Sequence, residues 1–61
     1  MASGKRFAEV CKMLEAKGYT LARISGSHHV FTKPGARAVP IPVHRGMVKP
    51  AYVRLVRQLE A

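Results

Sequence analysis

Aspartate and tryptophan are missing from this chain altogether, and its only acidic residues in 61 positions are three glutamates. A two-metal nuclease needs several carboxylates gathered on one site. Glu9, Glu15 and Glu60 all fall on predicted helices, away from the histidines, which argues against that class. A single cysteine, Cys11, excludes an intramolecular disulfide and a cysteine zinc site. On the apolar side of a predicted helix, it is expected to be a buried, unreactive thiol rather than a nucleophile. The expected compartment is therefore a reducing one, the cytoplasm. No apolar run approaches the ~20 residues of a membrane span, and residues 1–4 carry no signal-peptide core, so the chain is expected to be soluble, unsecreted and without a membrane partner. It has no internal repeat and no low-complexity linker, and one domain, residues 1–61, is expected. It is far too short for a barrel enzyme or a doubly wound nucleotide fold. A chain of this size buries only about 60% of the surface it exposes when unfolded. Any active site must be a shallow surface feature, which suits a polymer better than a small metabolite.

What the chain does have is positive charge: eleven lysines and arginines give a formal net charge of +8 and a pI near 10.7. Such a field attracts polyanions and raises their encounter rate. An acidic protein would be drawn equally well, and a basic surface that only keeps the domain soluble is the plain alternative.

Phe7, Val10, Cys11 and Leu14 follow the i, i+3, i+4, i+7 spacing of one helical stripe, which predicts a helix over residues 4–17. Ser3 is its expected N-cap, and Gly18 can take the left-handed conformation that ends it. Lys5, Glu9, Lys12 and Glu15 form the solvent face. Beyond Gly18 the pattern turns to short runs of β-branched and aromatic residues over 19–25, 28–33 and 37–43, with turn signals at Gly26-Ser27 and Pro34-Gly35 between them. An antiparallel meander is expected. Pro40 and Pro42 lack an amide donor, so the third strand belongs at an edge or is paired on its other side. Its Val39, Ile41 and Val43 share one face, the expected core face, and Pro40, Pro42 and His44 share the other. In the second strand the same alternation turns His28 outward if Phe31 faces inward, with His29 at the core edge; a bulge near Gly26 would upset this count. Gly46 is read as the end of the sheet, and Pro50 as the first turn of a last helix whose stripe is Tyr52, Leu55, Val56 and Leu59. The fold class is then α+β in the order α-β-β-β-α, with two helices on one face of a three-stranded antiparallel sheet and the other face open.

Histidines are the only side chains here whose ordinary pKa lies near neutrality. RNA cleavage by its own 2′-hydroxyl requires a proton removed from that hydroxyl, a proton given to the leaving oxygen, and cations around the charged phosphorane. The pair His28 and His29 sits on an extended, glycine-hinged segment, and a second short run ends on His44. Arg23, Lys33 and Arg45 lie near in sequence. Lys49 and Pro50 open the last helix, where free amides can hold a phosphate oxygen. The plainer readings are that an adjacent histidine pair only hydrogen-bonds locally, and that His44 is structural or a phosphate contact. A zinc site from His28, His29 and His44 is disfavoured, because neighbouring strand residues point opposite ways and no fourth ligand is evident. Tyr19 and Tyr52 could stack on bases, but each occupies a position where packing is expected.

In this order the pieces resemble the HicA family of bacterial toxins, the mRNA interferases of HicAB toxin and antitoxin systems. The resemblance rests on a leading amphipathic helix ending at Lys17-Gly18-Tyr19, Arg23, the Gly26-Ser27-His28 signature with Phe31 three residues on, the strand end Ile41-Pro42-Val43-His44, and the Lys49-Pro50 helix carrying Leu55-Val56-Arg57-Gln58-Leu59. It covers nearly the whole chain. It implies a double-stranded-RNA-binding-domain-like fold and endoribonuclease activity on mRNA, with no cofactor and no required metal. His28 is then the catalytic residue and His29 only its neighbour. A HicB-like antitoxin that covers or distorts the site is the implied protein partner. On this reading Gly26 and Ser27 set the backbone of His28, and Arg23, Lys33, Arg45 and Lys49 hold RNA phosphates. Lys33, His44 and Lys49 stand unranked as its acid/base partner. The rivals are a non-catalytic module of the same fold that reads duplex RNA by shape, which a domain this small spans poorly alone, and a DNA-binding regulator, which lacks a visible helix-turn-helix.

Overall fold

The structure, a computed structural model, describes residues 4–59. Its elements run β1 (Lys5–Arg6), α1 (Phe7–Ala16), β2 (Thr20–Ser25), β3 (His28–Thr32), β4 (Val39–Pro42), β5 (Met47–Val48) and α2 (Pro50–Gln58). The expected helix, three-stranded meander and helix are all present, with β2-β3-β4 forming one antiparallel sheet. Two short strands were not foreseen: β1 pairs antiparallel with β5, Lys5 opposite Val48 and Arg6 opposite Met47.

This small sheet corrects the start of the first helix. Residues 4–6 are extended rather than helical, and α1 begins at Phe7, whose amide donates to the Gly46 carbonyl at 2.8 Å. The N-cap is Arg6, in extended conformation and with no side-chain cap bond. Ser3, the expected cap, lies outside the described residues. Gly4 runs so close to Val48 that any β-carbon would collide with the Val48 carbonyl, which is why glycine fits the approach to β1.

The end of α1 follows the sequence expectation. Gly18 has φ +91°, its amide donates to the Glu15 carbonyl, and the Tyr19 amide donates to the Leu14 carbonyl, both at 3.0 Å. That pair of bonds is a Schellman cap. It turns the chain directly into β2 and buries Tyr19 in the core. The Lys17 amine donates to the carbonyls of Arg57 and Leu59, tying the end of α1 to the end of α2.

One core fills the space between helices and sheet: Val10 and Leu14 from α1, Val53 and Val56 from α2, Phe31, Val39 and Ile41 from the sheet, with Tyr19 and Val48. In α2 the expected stripe is rotated. Leu55 is 42% exposed, and Val53 takes the buried place. The alternation puts Phe31 and Ile41 in the core and leaves His28 and Pro40 exposed, but Val30, on the His28 face and outside the core cluster, is also buried. β4 is an edge strand, as its prolines require. The bulge lies between Leu21 and Arg23 in β2, not near Gly26. Nor does Gly46 end the sheet region: it belongs to a turn that leads into β5.

Candidate functional site

The turn carrying His28 is built from two residues. Ser25 pairs with His28 across it, and Gly26, the first central residue, has φ +59°. A positive φ at that position is the mark of a type II′ hairpin turn, for which glycine is the suited residue. A β-carbon on Gly26 would meet nothing within 4 Å, so glycine is required there by backbone conformation, not by space.

The Ser27 carbonyl holds this turn from two directions. It accepts the Val43 amide at 2.7 Å and lies 3.3 Å from Nδ1 of His29, which donates in the Nδ1–H form. The His29 ring is half-buried on the core side, its centroid 4.5 Å from that of Phe7 at a tilt of 57°. His29 therefore braces the turn from beneath, a role consistent with its expected place at the core edge.

His28 is exposed on the opposite face. Two neighbouring facts bring His44 toward it. His28 pairs with Pro42, and the Val43 amide extends the ladder onto Ser27. His44, which follows Val43, is thus brought to the His28 end of the sheet. His44 in turn exchanges both backbone bonds with Met47, at 3.0 and 2.9 Å, closing a second two-residue turn through Arg45 and Gly46. Both central residues of that turn have positive φ, +53° at Arg45 and +76° at Gly46, the type I′ pattern.

Beyond His44 the surface opens into a cavity of about 390 Å³ lined by Gly4, His44, Met47, Val48, Lys49 and Pro50. Lys49 is the N-cap of α2 and Pro50 its first residue. Arg23 pairs with Val30 across the sheet, on the face that carries His28. One end of the domain therefore gathers Gly26, Ser27, His28, His29, His44, Arg45 and Lys49, with Arg23 along the adjoining sheet face. Lys33 is not part of this group. It lies five residues beyond His28, roughly 16 Å along a strand, with its amine 5.5 Å from the Tyr19 ring centroid.

Two features of this region escaped sequence reasoning. Met47, 43% exposed, reaches the cavity only because β5 pairs with β1. Gly4 forms part of the wall for the same reason. The glycine at position 46 was the available signal, since a glycine between two short apolar runs can mark a hairpin as readily as a strand end. Among the described residues no three of histidine, cysteine, aspartate and glutamate are grouped to hold a metal ion. Cys11 is half-buried, and its thiol pKa is pushed up, first by burial and then by the Glu15 carboxylate.

A family model described as the HicA toxin of bacterial toxin-antitoxin systems matches residues 7–60. The chain belongs to the HicA toxin family. Comparison with curated proteins and with solved structures gave no match. A HicA toxin implies a cognate antitoxin as its partner. The two helices and three-stranded antiparallel sheet agree with the HicA fold. No helix among the described residues is long and apolar enough to cross a membrane.

Proposed function

We propose that this HicA-family toxin is a cytoplasmic endoribonuclease that cleaves mRNA without a metal ion, using His28 as general acid or base. The observation that carries this reading is the exposed His28 on a turn pinned at the Ser27 carbonyl, at the end of the domain that also holds Arg23, Arg45 and Lys49. In the reaction a base removes the 2′-hydroxyl proton, the 2′-oxygen bonds to phosphorus, and the bond from phosphorus to the 5′-oxygen breaks. The leaving oxygen then takes a proton, and a 2′,3′-cyclic phosphate remains. Two proton-transfer groups are needed on opposite sides of the phosphorus. Of Lys33, His44 and Lys49, the chain path favours His44 as the second, since the Val43 bond to Ser27 brings it to the His28 end of the sheet. Arg23, Arg45 and Lys49 stabilise the charge that grows on the phosphorane oxygens. Gly26 and Ser27 hold the His28 backbone, and His29 supports them from the core side.

Expression of the wild-type chain is expected to arrest growth and to leave mRNA fragments ending in cyclic phosphate, with both effects absent in His28→Ala. Arrest by both proteins, without fragments, would remove cleavage by His28 from the account. Salt-sensitive RNA binding with no cleavage by either protein would favour the non-catalytic RNA-binding module instead.

A further inference from the structure

The cavity beside His44 is unusual in a domain so small and so basic, because its walls are largely apolar. Met47, Val48 and Pro50 form the apolar surfaces, Gly4 closes one side with bare backbone, and His44 and Lys49 supply the polar groups. No acidic side chain lines it. Its volume of about 390 Å³ lies near the lower end of the range for pockets that enclose a small organic group. One base with its sugar fits such a space.

We propose that this cavity is a nucleotide pocket, which receives one unpaired base of single-stranded RNA next to the bond presented to His28. The inference rests on the reading that the substrate is RNA and adds which form of RNA the toxin takes. Three observations converge on it. The pocket joins the candidate site through His44, which lines the cavity and follows Val43, whose amide is bonded to the Ser27 carbonyl beside His28. Its charge is complementary to a nucleotide, with Lys49 in the lining and Arg45 in the adjoining turn. Its apolar wall includes an exposed methionine that buries nothing of the core, since Met47 is 43% exposed while its strand neighbour Val48 is fully buried.

The chemistry of the wall also sets the expected selectivity. A methionine thioether adapts to flat rings of different outline and makes favourable contacts with aromatic groups. A base held by apolar contact is chosen by stacking strength more than by hydrogen-bond pattern. Purines should therefore bind better than pyrimidines, with tolerance among purines. Duplex RNA should not enter, because its bases are already stacked and paired.

The test uses His28→Ala protein, in which bound RNA stays intact, with a short oligoadenylate as the single strand and its duplex with an oligouridylate of equal length. Nuclear magnetic resonance is expected to show shifts at the Met47 methyl and the Gly4 and Lys49 amides with the single strand, and none at Met47 with the duplex. Adding Met47→Ala should weaken single-strand binding about fivefold, within what a methionine contact with an aromatic ring contributes, while Met47→Leu restores most of it. Unchanged core signals in both variants show that the fold is intact. If the single strand binds but Met47 and Gly4 stay still, or if Met47→Ala binds as tightly as its parent, the pocket is not a nucleotide site. Met47 signals that respond only to the antitoxin would likewise overturn it and make the cavity a protein contact. Base-dependent shifts at Met47 in a toxin whose wild-type form cuts no RNA would uphold the pocket and sink the cleavage reading. Absence of any RNA binding would end both.

Discussion

Arg45 occupies a backbone conformation that suits its neighbour Gly46 far better than itself. Both have positive φ in a two-residue turn closed by the His44 and Met47 backbone bonds. A residue with a β-carbon held there costs roughly 1–2 kcal/mol, whereas asparagine, which is favoured in such turns, tolerates it. Arg45→Asn should therefore stabilise the fold by about 0.5–1 kcal/mol, a part of that strain. For a domain of this size that raises the melting temperature by roughly 2–8 °C. The proposed role of the side chain predicts the opposite sign for RNA. If Arg45 neutralises one phosphate, its loss lowers the slope of log affinity against log salt by about 0.7 for a single strand. Arg45→Lys is the control that keeps the charge and the strain, so neither quantity should move much. Thermal melting followed by circular dichroism, and fluorescence anisotropy across a salt series on a His28→Ala background, measure the two effects. A lower melting temperature in Arg45→Asn would refute the strain argument. An unchanged salt slope would refute the phosphate contact.

The remaining predictions concern the core, the turn and the thiol. Ile41 is fully buried, so Ile41→Ala should cost about 2–5 kcal/mol, a large share of the roughly 3–9 kcal/mol available to a domain this short; urea unfolding should show most of the stability gone. His29→Phe keeps an aromatic ring against Phe7 but removes the contact with the Ser27 carbonyl. Its expected cost is about 1 kcal/mol, with faster hydrogen exchange at the Val43 amide and a drop in cleavage of about tenfold, because small displacements of a catalytic group are costly; wild-type exchange at Val43 would contradict the brace. Cys11 should react with alkylating reagents along a pH profile whose midpoint lies above the ordinary thiol range, since burial and then Glu15 disfavour its thiolate. Glu15→Gln should lower that midpoint only in part. Because the folded state holds this proton more tightly than the unfolded chain, the thiol leaves stability unaltered below the ordinary thiol range and lowers it as pH rises through that range; a midpoint at or below the ordinary value would contradict both statements.

Local patterns in the chain carried the elements whose stability is local. Gly18 marked the end of α1 because a left-handed residue completes that cap whatever packs around it. The outward turn of His28 followed from strand alternation once Phe31 was placed in the core. What was not legible depends on contacts distant in sequence. Lys5 and Arg6 continue a helical pattern on paper, yet pairing with Met47 and Val48 more than forty residues away draws them into a strand. Helical spacing pointed to Leu55, yet Val53, three residues before Val56, is the one the packed core buries. Lys33 looked near the histidines along the chain, but an extended strand carries it to the far end of the sheet. The cavity beside His44 could not be foreseen, since its walls meet only after β1 and β5 pair.

The central claim is that His28 moves a proton during RNA cleavage, and the most direct measurement is the rate at which purified wild-type and His28→Ala proteins cut one long RNA in the presence of a chelator. The account predicts rapid cleavage by the wild type and a loss of at least about a hundredfold in the variant, the lower bound for removing a general acid or base. Equal cleavage by the two proteins would contradict it.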